Sequence, residues 1–345
     1  MGPQRLARAQ KTFSKGRAMT LSRRHLLAAS SLLAAPALLP ASLRAEAAYP
    51  SRPIRLVVPF PGGGATDVTA RVIAERLSQM LGQPMVVDNR PGAGGMLGSD
   101  MVAKSEPDGY TLLMCTIGTA SINQFLYTKM PYAPKDLTSL ALVNSLANVI
   151  TVPANSPIKS FADLLKQAKE KPGDLSYGTP GNGTSGHMCG ELLKHRTGTD
   201  IFHVPYRGSA SVIPDLLGDR LNIAIDNLPP YLPHIQEGRL RALAVTSKAR
   251  WFALPDVPSV AESGVEGFEA EAWFGVQAPS RTPKPIIERV SGLILEILKE
   301  PAALAKLRDI GSEPRPMGPA EFDAFIARED AKWKDVVRVS GARLD

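Results

Sequence analysis

Pro59-Phe60-Pro61-Gly62-Gly63-Gly64-Ala65-Thr66-Asp67 stands between two segments of different period. Before it, Ile54 to Val58 is a run rich in β-branched residues and Leu, which reads as a strand buried on both faces. After it, Val68, Val72, Ile73, Leu77, Met80 and Leu81 recur at helical spacing until Gly82 ends the helix. Strand, glycine turn and helix then repeat. Met85 to Val87 and Thr111 to Cys115 read as strands, with a Gly-rich turn and a short helix between them. A helix over Phe161 to Lys169, a strand around Ser176-Tyr177 and a helix from Ser185 follow. Ile201 to Val204, Leu221 to Ile225 and Leu243 to Val245 are further strands, and Phe322, Phe325, Ile326 and Trp333 mark an amphipathic terminal helix. The alternation predicts an α/β protein with mainly parallel sheets.

Two segments read as crossings between lobes: Asn148 to Pro157, an apolar strand leading into a Pro-containing turn, and Ala270 to Pro279, a Trp-Phe-Gly strand. They predict lobe I from residues 48–148 and 272–345 and lobe II from residues 149–271, with a ligand cleft between them. At 345 residues, 44% hydrophobic and 21% charged, the chain is too apolar for disorder and long enough for two cores.

The formal charge of +7 suggests nucleic acid until its position is examined. Of 40 Lys/Arg and 33 Asp/Glu, residues 1–47 hold Arg5, Arg8, Lys11, Lys15, Arg17, Arg23, Arg24 and Arg44 but only Glu46, so 32 of each sign remain. No nucleic-acid partner is expected. That leader has the parts of an export signal: Arg23-Arg24, the uncharged run Leu26 to Leu39, and Ala45-Glu46-Ala47 as a cleavage site. The run is short of the ~20 residues that span a bilayer. Ser22-Arg23-Arg24-His25-Leu26-Leu27 resembles the twin-arginine consensus, against an ordinary secretory signal. Cleavage near Ala47 would release a soluble periplasmic protein, expected as a monomer. Cys115 and Cys189 are the two cysteines and read as buried thiols in different lobes.

The first glycine loop lets successive N–H groups converge at a helix N-terminus, where the dipole favours an anion. Its candidates are Phe60, Gly62, Gly63, Ala65, Thr66 and Asp67, with Thr66 or Asp67 also able to cap the helix. It lacks the Lys-Ser/Thr of a Walker loop, and Asp67 breaks the dinucleotide pattern. Gly178-Thr179-Pro180-Gly181-Asn182-Gly183-Thr184-Ser185-Gly186-His187 has the same strand-to-helix setting in the other lobe. Two such loops facing one cleft could share a small carboxylate. Arg207, in the turn Tyr206-Arg207-Gly208-Ser209, faces either a carboxylate or water. Asp226 either orients a ligand amine or hydroxyl or caps the next helix. Gly183 to His187 misses the nucleophile elbow at its last position, and the histidines lack a metal-binding spacing. Neither catalytic residues, nor a metal, nor a cofactor is expected.

Further phrases join these loops in order: Val87-Asp88-Asn89-Arg90-Pro91-Gly92-Ala93-Gly94-Gly95, Pro107-Asp108-Gly109-Tyr110-Thr111-Leu112, Tyr206 to Ala210, Arg241 to Thr246, Leu254 to Gly264 and Trp273-Phe274-Gly275. Together they resemble the substrate-binding proteins of tripartite tricarboxylate transporters, the Bug family, across the whole mature chain. The resemblance implies a periplasmic-binding-protein fold (type II-like) whose two lobes close on a tricarboxylate, a dicarboxylate, an acidic amino acid or an aromatic acid. It also implies that backbone groups of the first loop and the loop opening lobe II hold the carboxylate. Carried over, that points to Phe60, Gly63, Ala65 and Asp67, and to Asn182, Thr184, Ser185 and His187. Gly64 and Ala65 vary the loop's middle, and Arg207 sits where Lys is common. The implied partner is a pair of membrane permease subunits. The alternatives are a ligand-dependent sensor partner and, more remotely, an exported hydrolase.

Overall fold

The computed structural model describes residues 49–345; the expected export signal, residues 1–47, lies outside the described residues. The chain runs through β1 (Ile54–Val58), α1 (Ala65–Leu81), β2 (Met85–Asn89), α2 (Met96–Ala103) and β3 (Thr111–Thr116). A π-turn at Gly118–Ile122 then enters α3 (Asn123–Leu126). After β4 (Leu137–Pro153) come α4 (Phe161–Glu170), β5 (Ser176–Thr179), α5 (Ser185–Thr197), β6 (Phe202–Pro205), α6 (Ser209–Leu217), β7 (Ile223–Asn227), α7 (Leu232–Gln236) and β8 (Leu240–Val245). The last elements are β9 (Glu271–Pro279), α8 (Lys284–Ile297), α9 (Pro301–Asp309), β10 (Glu313–Met317) and α10 (Pro319–Ser340).

The sheet order is β2-β1-β3-β9-β4-β7-β5-β6, with β8 and β10 also pairing with β4. The glycine-loop units behave as their periodicity predicts: β1 lies parallel between β2 and β3, and β5 parallel between β6 and β7. Gly82 closes α1 with φ 67°. The sheet is mixed, however, and the expectation of mainly parallel sheets is corrected. β9 runs antiparallel to β3 and β4, and β4 antiparallel to β7, β8 and β10. No crossover helix directly precedes β4 or β9, and spacing along a strand carries no direction.

β4 also begins earlier than the sequence suggested, at Leu137 instead of Asn148. Polar residues interrupt its apolar run, and one of them is held by side chains from outside the strand: Asn144 Nδ2 donates to the hydroxyls of Thr69 and Ser312. Residues Leu137 to Ala147 pair with β9, whereas the pairing with β7 starts at Asn148. The strand thus passes from one half of the sheet to the other at Asn148.

Burial follows the same division. Leu56, Ile73, Leu77 and Ile294 share a core beneath α1 and α8, while Val212, Leu216, Leu228 and Tyr231 form another beside α6. A third core runs through both halves and includes Leu142, Ile150, Cys189, Phe322 and Trp333. The indole N–H groups of Trp273 and Trp333 both donate to Glu329 Oε2 at 3.0 Å, which fastens α10 to β9. Cys115 and Cys189 are free, buried thiols, as expected, and burial pushes both thiol pKa values up. Among the described residues no helix is long and apolar enough to cross a membrane.

Candidate functional site

The C-terminal ends of β1, β5 and β6 each feed a short loop and then a helix, and the three helices start at one cavity. Ala65 and Thr66 of α1, Ser185 of α5 and Ser209 of α6 line it, together with Thr184, Asn227, Phe60 and Phe274. About 440 Å³ of space, part of it open to solvent, lies between these residues, and none of the lining residues carries an ionisable side chain. First-turn N–H groups have no intrahelical acceptor, and each helix adds a partial positive charge at that end. A carboxylate held there meets convergent donors instead of a counter-ion.

The first loop is held from behind. Gly64 is the N-cap of α1 without a side-chain cap, so neither Thr66 nor Asp67 caps in that sense. Asp67 instead turns back, accepting from Gly63 N (3.0 Å), Arg71 Nε (2.9 Å) and Nη2 (3.0 Å), and Asn89 Nδ2 (3.0 Å). Asn89 Nδ2 also donates to Phe60 O at 3.0 Å. Burial works to raise the Asp67 pKa, but the Arg71 guanidinium, the Gly63 N–H and Asn89 outweigh it, so the carboxyl stays below its usual range. Gly63, at φ 81°, takes the left-handed turn that brings its N–H round to Asp67. Asp67→Ala should therefore cost about 2 kcal/mol in stability and weaken ligand binding by loosening the loop. Unchanged affinity in calorimetry would show that Asp67 does not shape the site.

The second loop is also supported from beneath. Thr184 caps α5, accepting from His187 N and donating to Gly181 O at 2.7 Å. His187 Nδ1 accepts from Gly183 N at 3.2 Å, and its ring stacks on His203 with centroids 4.2 Å apart. Burial above all, helped by Lys194, lowers the His187 pKa to about 4, so the ring is neutral near pH 7. His187 thus braces the loop without lining the cavity. Gly186 is required here, since a Cβ would sit 2.1 Å from Ile225 O. The Ser185 hydroxyl donates to Asn148 Oδ1 (2.9 Å) and accepts from Asn227 Nδ2 (3.0 Å). Its neighbours are amides, and none is a base that could activate a nucleophile.

Asp226 lies behind Asn227 with its carboxyl 1% exposed; Oδ1 accepts from Asn227 N at 2.7 Å and Oδ2 has no hydrogen-bond partner. Burial raises its pKa to about 7, although the nearby Ser209 and Tyr231 hydroxyls and the Asn227 N–H pull the other way. It neither lines the cavity nor caps α7, whose N-cap Tyr231 makes no side-chain cap bond.

Outside the inner cavity, an open recess of about 1160 Å³ is lined by Phe60, Asn182, Arg207, Tyr127 and the backbone of Gly92 to Gly95. Of the residues singled out from sequence, Phe60, Ala65, Thr66, Thr184 and Ser185 meet at the inner cavity. Asn182 and Arg207 stand at the recess, Asp67, His187 and Asp226 lie behind the walls, and the exposed Gly62 and Gly63 line neither space. The reading missed Thr116, Ile117, Ser209, Asn227 and Phe274 as lining residues. Ser209 carried a usable signal, because Gly208-Ser209 opens a helix after a strand just as Gly64-Ala65 does. Among the described residues there is no group of three or more His, Cys, Asp or Glu able to hold a metal ion.

Known proteins share this architecture. The family described as "Tripartite tricarboxylate transporter family receptor" matches residues 69–342. The chain is 39% identical over 321 residues to Protein BugT of Bordetella pertussis, covering 92% of this chain and 98% of that one. The solved structure of R. palustris Rpa4515 with adipate superposes with a TM-score of 0.84 at 40% identity, covering 86% of this chain and 100% of that one. MatC from Rhodopseudomonas palustris with bound malate gives a TM-score of 0.80 at 30% identity, covering 84% and 100%.

Proposed function

The chain belongs to the tripartite tricarboxylate transporter receptor family, and from that premise we propose that it is an exported periplasmic receptor that captures a small carboxylate for a pair of membrane permease subunits. One observation carries the ligand class: three helix N-termini meet at a cavity without an ionisable lining residue. N–H groups and hydroxyls fixed there replace the water around an anion without the desolvation cost of a buried counter-charge. Each charge-assisted hydrogen bond adds roughly 1.5–3 kcal/mol.

The ligands of two relatives, adipate and malate, are both dicarboxylates. In this reading one carboxylate sits in the inner cavity against Phe60, Ala65, Thr66, Thr184 and Ser185, on the loops that Gly62 and Gly63 turn and that Asp67, His187 and Asp226 brace. The rest of the ligand points past Asn182 toward Arg207, an exposed cation at the recess. Residues 48–148 and 272–345 form one lobe and 149–271 the other, a division supported by the change of pairing at Asn148. The protein is not an enzyme in this reading, because Ser185 is bonded to amides.

Purified protein, stripped of bound ligand by unfolding and refolding, tests this in thermal shifts against mono-, di- and tricarboxylates. A ligand at 100 times its dissociation constant stabilises the fold by about 2.7 kcal/mol. A clear shift with at least one small carboxylate is expected. A flat response from demonstrably folded protein would overturn the ligand class.

A further inference from the structure

Asn148 occupies the point where β4 leaves one half of the sheet for the other, and its side chain faces both the crossings and the cavity wall. On one side, Nδ2 donates to Ala270 O at 2.7 Å, and Asn148 N donates to Thr246 Oγ1 at 3.1 Å. Thr246 Oγ1 donates in turn to Ala270 O at 2.8 Å. Backbone bonds complete this side: Thr246 N donates to Asn148 O at 3.0 Å and Ala270 N to Thr246 O at 2.9 Å. Ala270 is the residue before β9, which pairs with β4 over Leu137 to Ala147, so the chain re-enters that half of the sheet at Ala270.

On the other side, Asn148 Oδ1 accepts from Ser185 Oγ at 2.9 Å and from Asn227 Nδ2 at 2.8 Å. Ser185 and Asn227 both line the inner cavity. Asn148 and Thr246 are 0% exposed, so none of these bonds exchanges readily with water. The amide can take only one orientation, because Ala270 O needs a donor while Ser185 and Asn227 Nδ2 need an acceptor.

We infer that Asn148 is a positioning residue that couples the ligand cavity to the two places where the chain passes between the halves, within β4 and at the entry to β9. It sets the Ser185 hydroxyl and the Asn227 amide, and through the same side chain it holds Ala270 and Thr246. The Ser185 proton is committed to Asn148 in this arrangement, so a ligand that draws it away also releases one of the two bonds on Oδ1. Occupancy is thereby read at the crossings. This rests on the carboxylate-receptor reading only in calling the cavity the ligand site, and its test needs no ligand.

Hydrogen exchange of the peptides containing the Thr246 and Ala270 N–H groups, followed by mass spectrometry on ligand-free protein, measures the coupling. Ser185→Ala and Asn227→Ala, each on the cavity side, should speed exchange at Thr246 and Ala270 about fivefold to tenfold. In an Asn148→Ala background Ser185→Ala should add nothing, since its effect passes through the missing amide. Asn148→Asp replaces that background if the alanine variant does not fold, because it keeps an acceptor for Ser185 but loses the donor to Ala270. If neither folds, the Ser185→Ala and Asn227→Ala results decide alone. Unchanged exchange at Thr246 and Ala270 in both, or an equal Ser185→Ala effect with and without Asn148, would overturn the coupling. A purely structural Asn148 would alter melting without that dependence.

Discussion

Gly118→Ala should leave the chain folded yet weaken carboxylate binding by about 100-fold, equivalent to about 2.7 kcal/mol. Gly118 begins the π-turn after β3, and its φ is not among the positive ones, so an alanine strains nothing locally. Its Cβ would stand 2.6 Å from Gly183 O, the backbone of the loop that opens α5 in the other half. The same turn and α3 press on Gly183 a second time, since a Cβ on Gly183 would stand 2.2 Å from Asn123 Oδ1. The added methyl therefore holds the two loops apart at the cavity. A ligand would keep its contacts to α1 and lose one or two charge-assisted bonds at α5, each about 1.5–3 kcal/mol. Calorimetry gives the affinity, and melting of the ligand-free variant shows whether the fold survived. Wild-type affinity in folded Gly118→Ala would mean that the close approach of these loops is not needed for capture.

Asp226→Asn is expected to stabilise the protein at alkaline pH and to do nothing in acid. The Asp226 pKa rises from 3.8 to about 7 on folding. Between those values the folded chain holds a proton that the unfolded chain has lost, so wild-type stability falls as pH rises from about 4 to 7 and then levels off. The full difference corresponds to about 4 kcal/mol, at 1.36 kcal/mol per unit. Asparagine keeps the acceptor for Asn227 N and never ionises. Its advantage in denaturant melts should be largest near pH 8 and vanish near pH 4. An advantage independent of pH would show that Asp226 titrates alike in the folded and unfolded chains, so that burial does not hold its proton.

Much of this was legible in the sequence where local pattern and physical demand coincide. Of the periodic residues, Ile73, Leu77 and Leu81 bury one face of α1 while Val68, Val72 and Met80 are half-buried, and Gly82 adopts the left-handed conformation that closes the helix. The three strand-loop-helix units were visible because a turn between a buried strand and a helix needs glycine or a small cap. The direction of β4 and β9 was not visible, since alternation along a strand is the same read either way. Nor could the sequence say which loop residues face the cavity. Asp67 and His187 sit in the first turn of their helices, one residue or so from lining positions, and both side chains turn away to hold the loop N–H groups. Thr116, Ile117 and Phe274 come from distant chain segments that only the pairing of β3 with β9 brings to the cavity.

The most direct measurement is a pair of calorimetric titrations with the carboxylate that gives the largest thermal shift and with its primary amide, which matches its shape without the charge. Helix N-termini converging on a neutral cavity should favour the carboxylate by at least 100-fold, about 2.7 kcal/mol. Equal affinity for the two would contradict an anion site and leave shape alone as the basis of recognition.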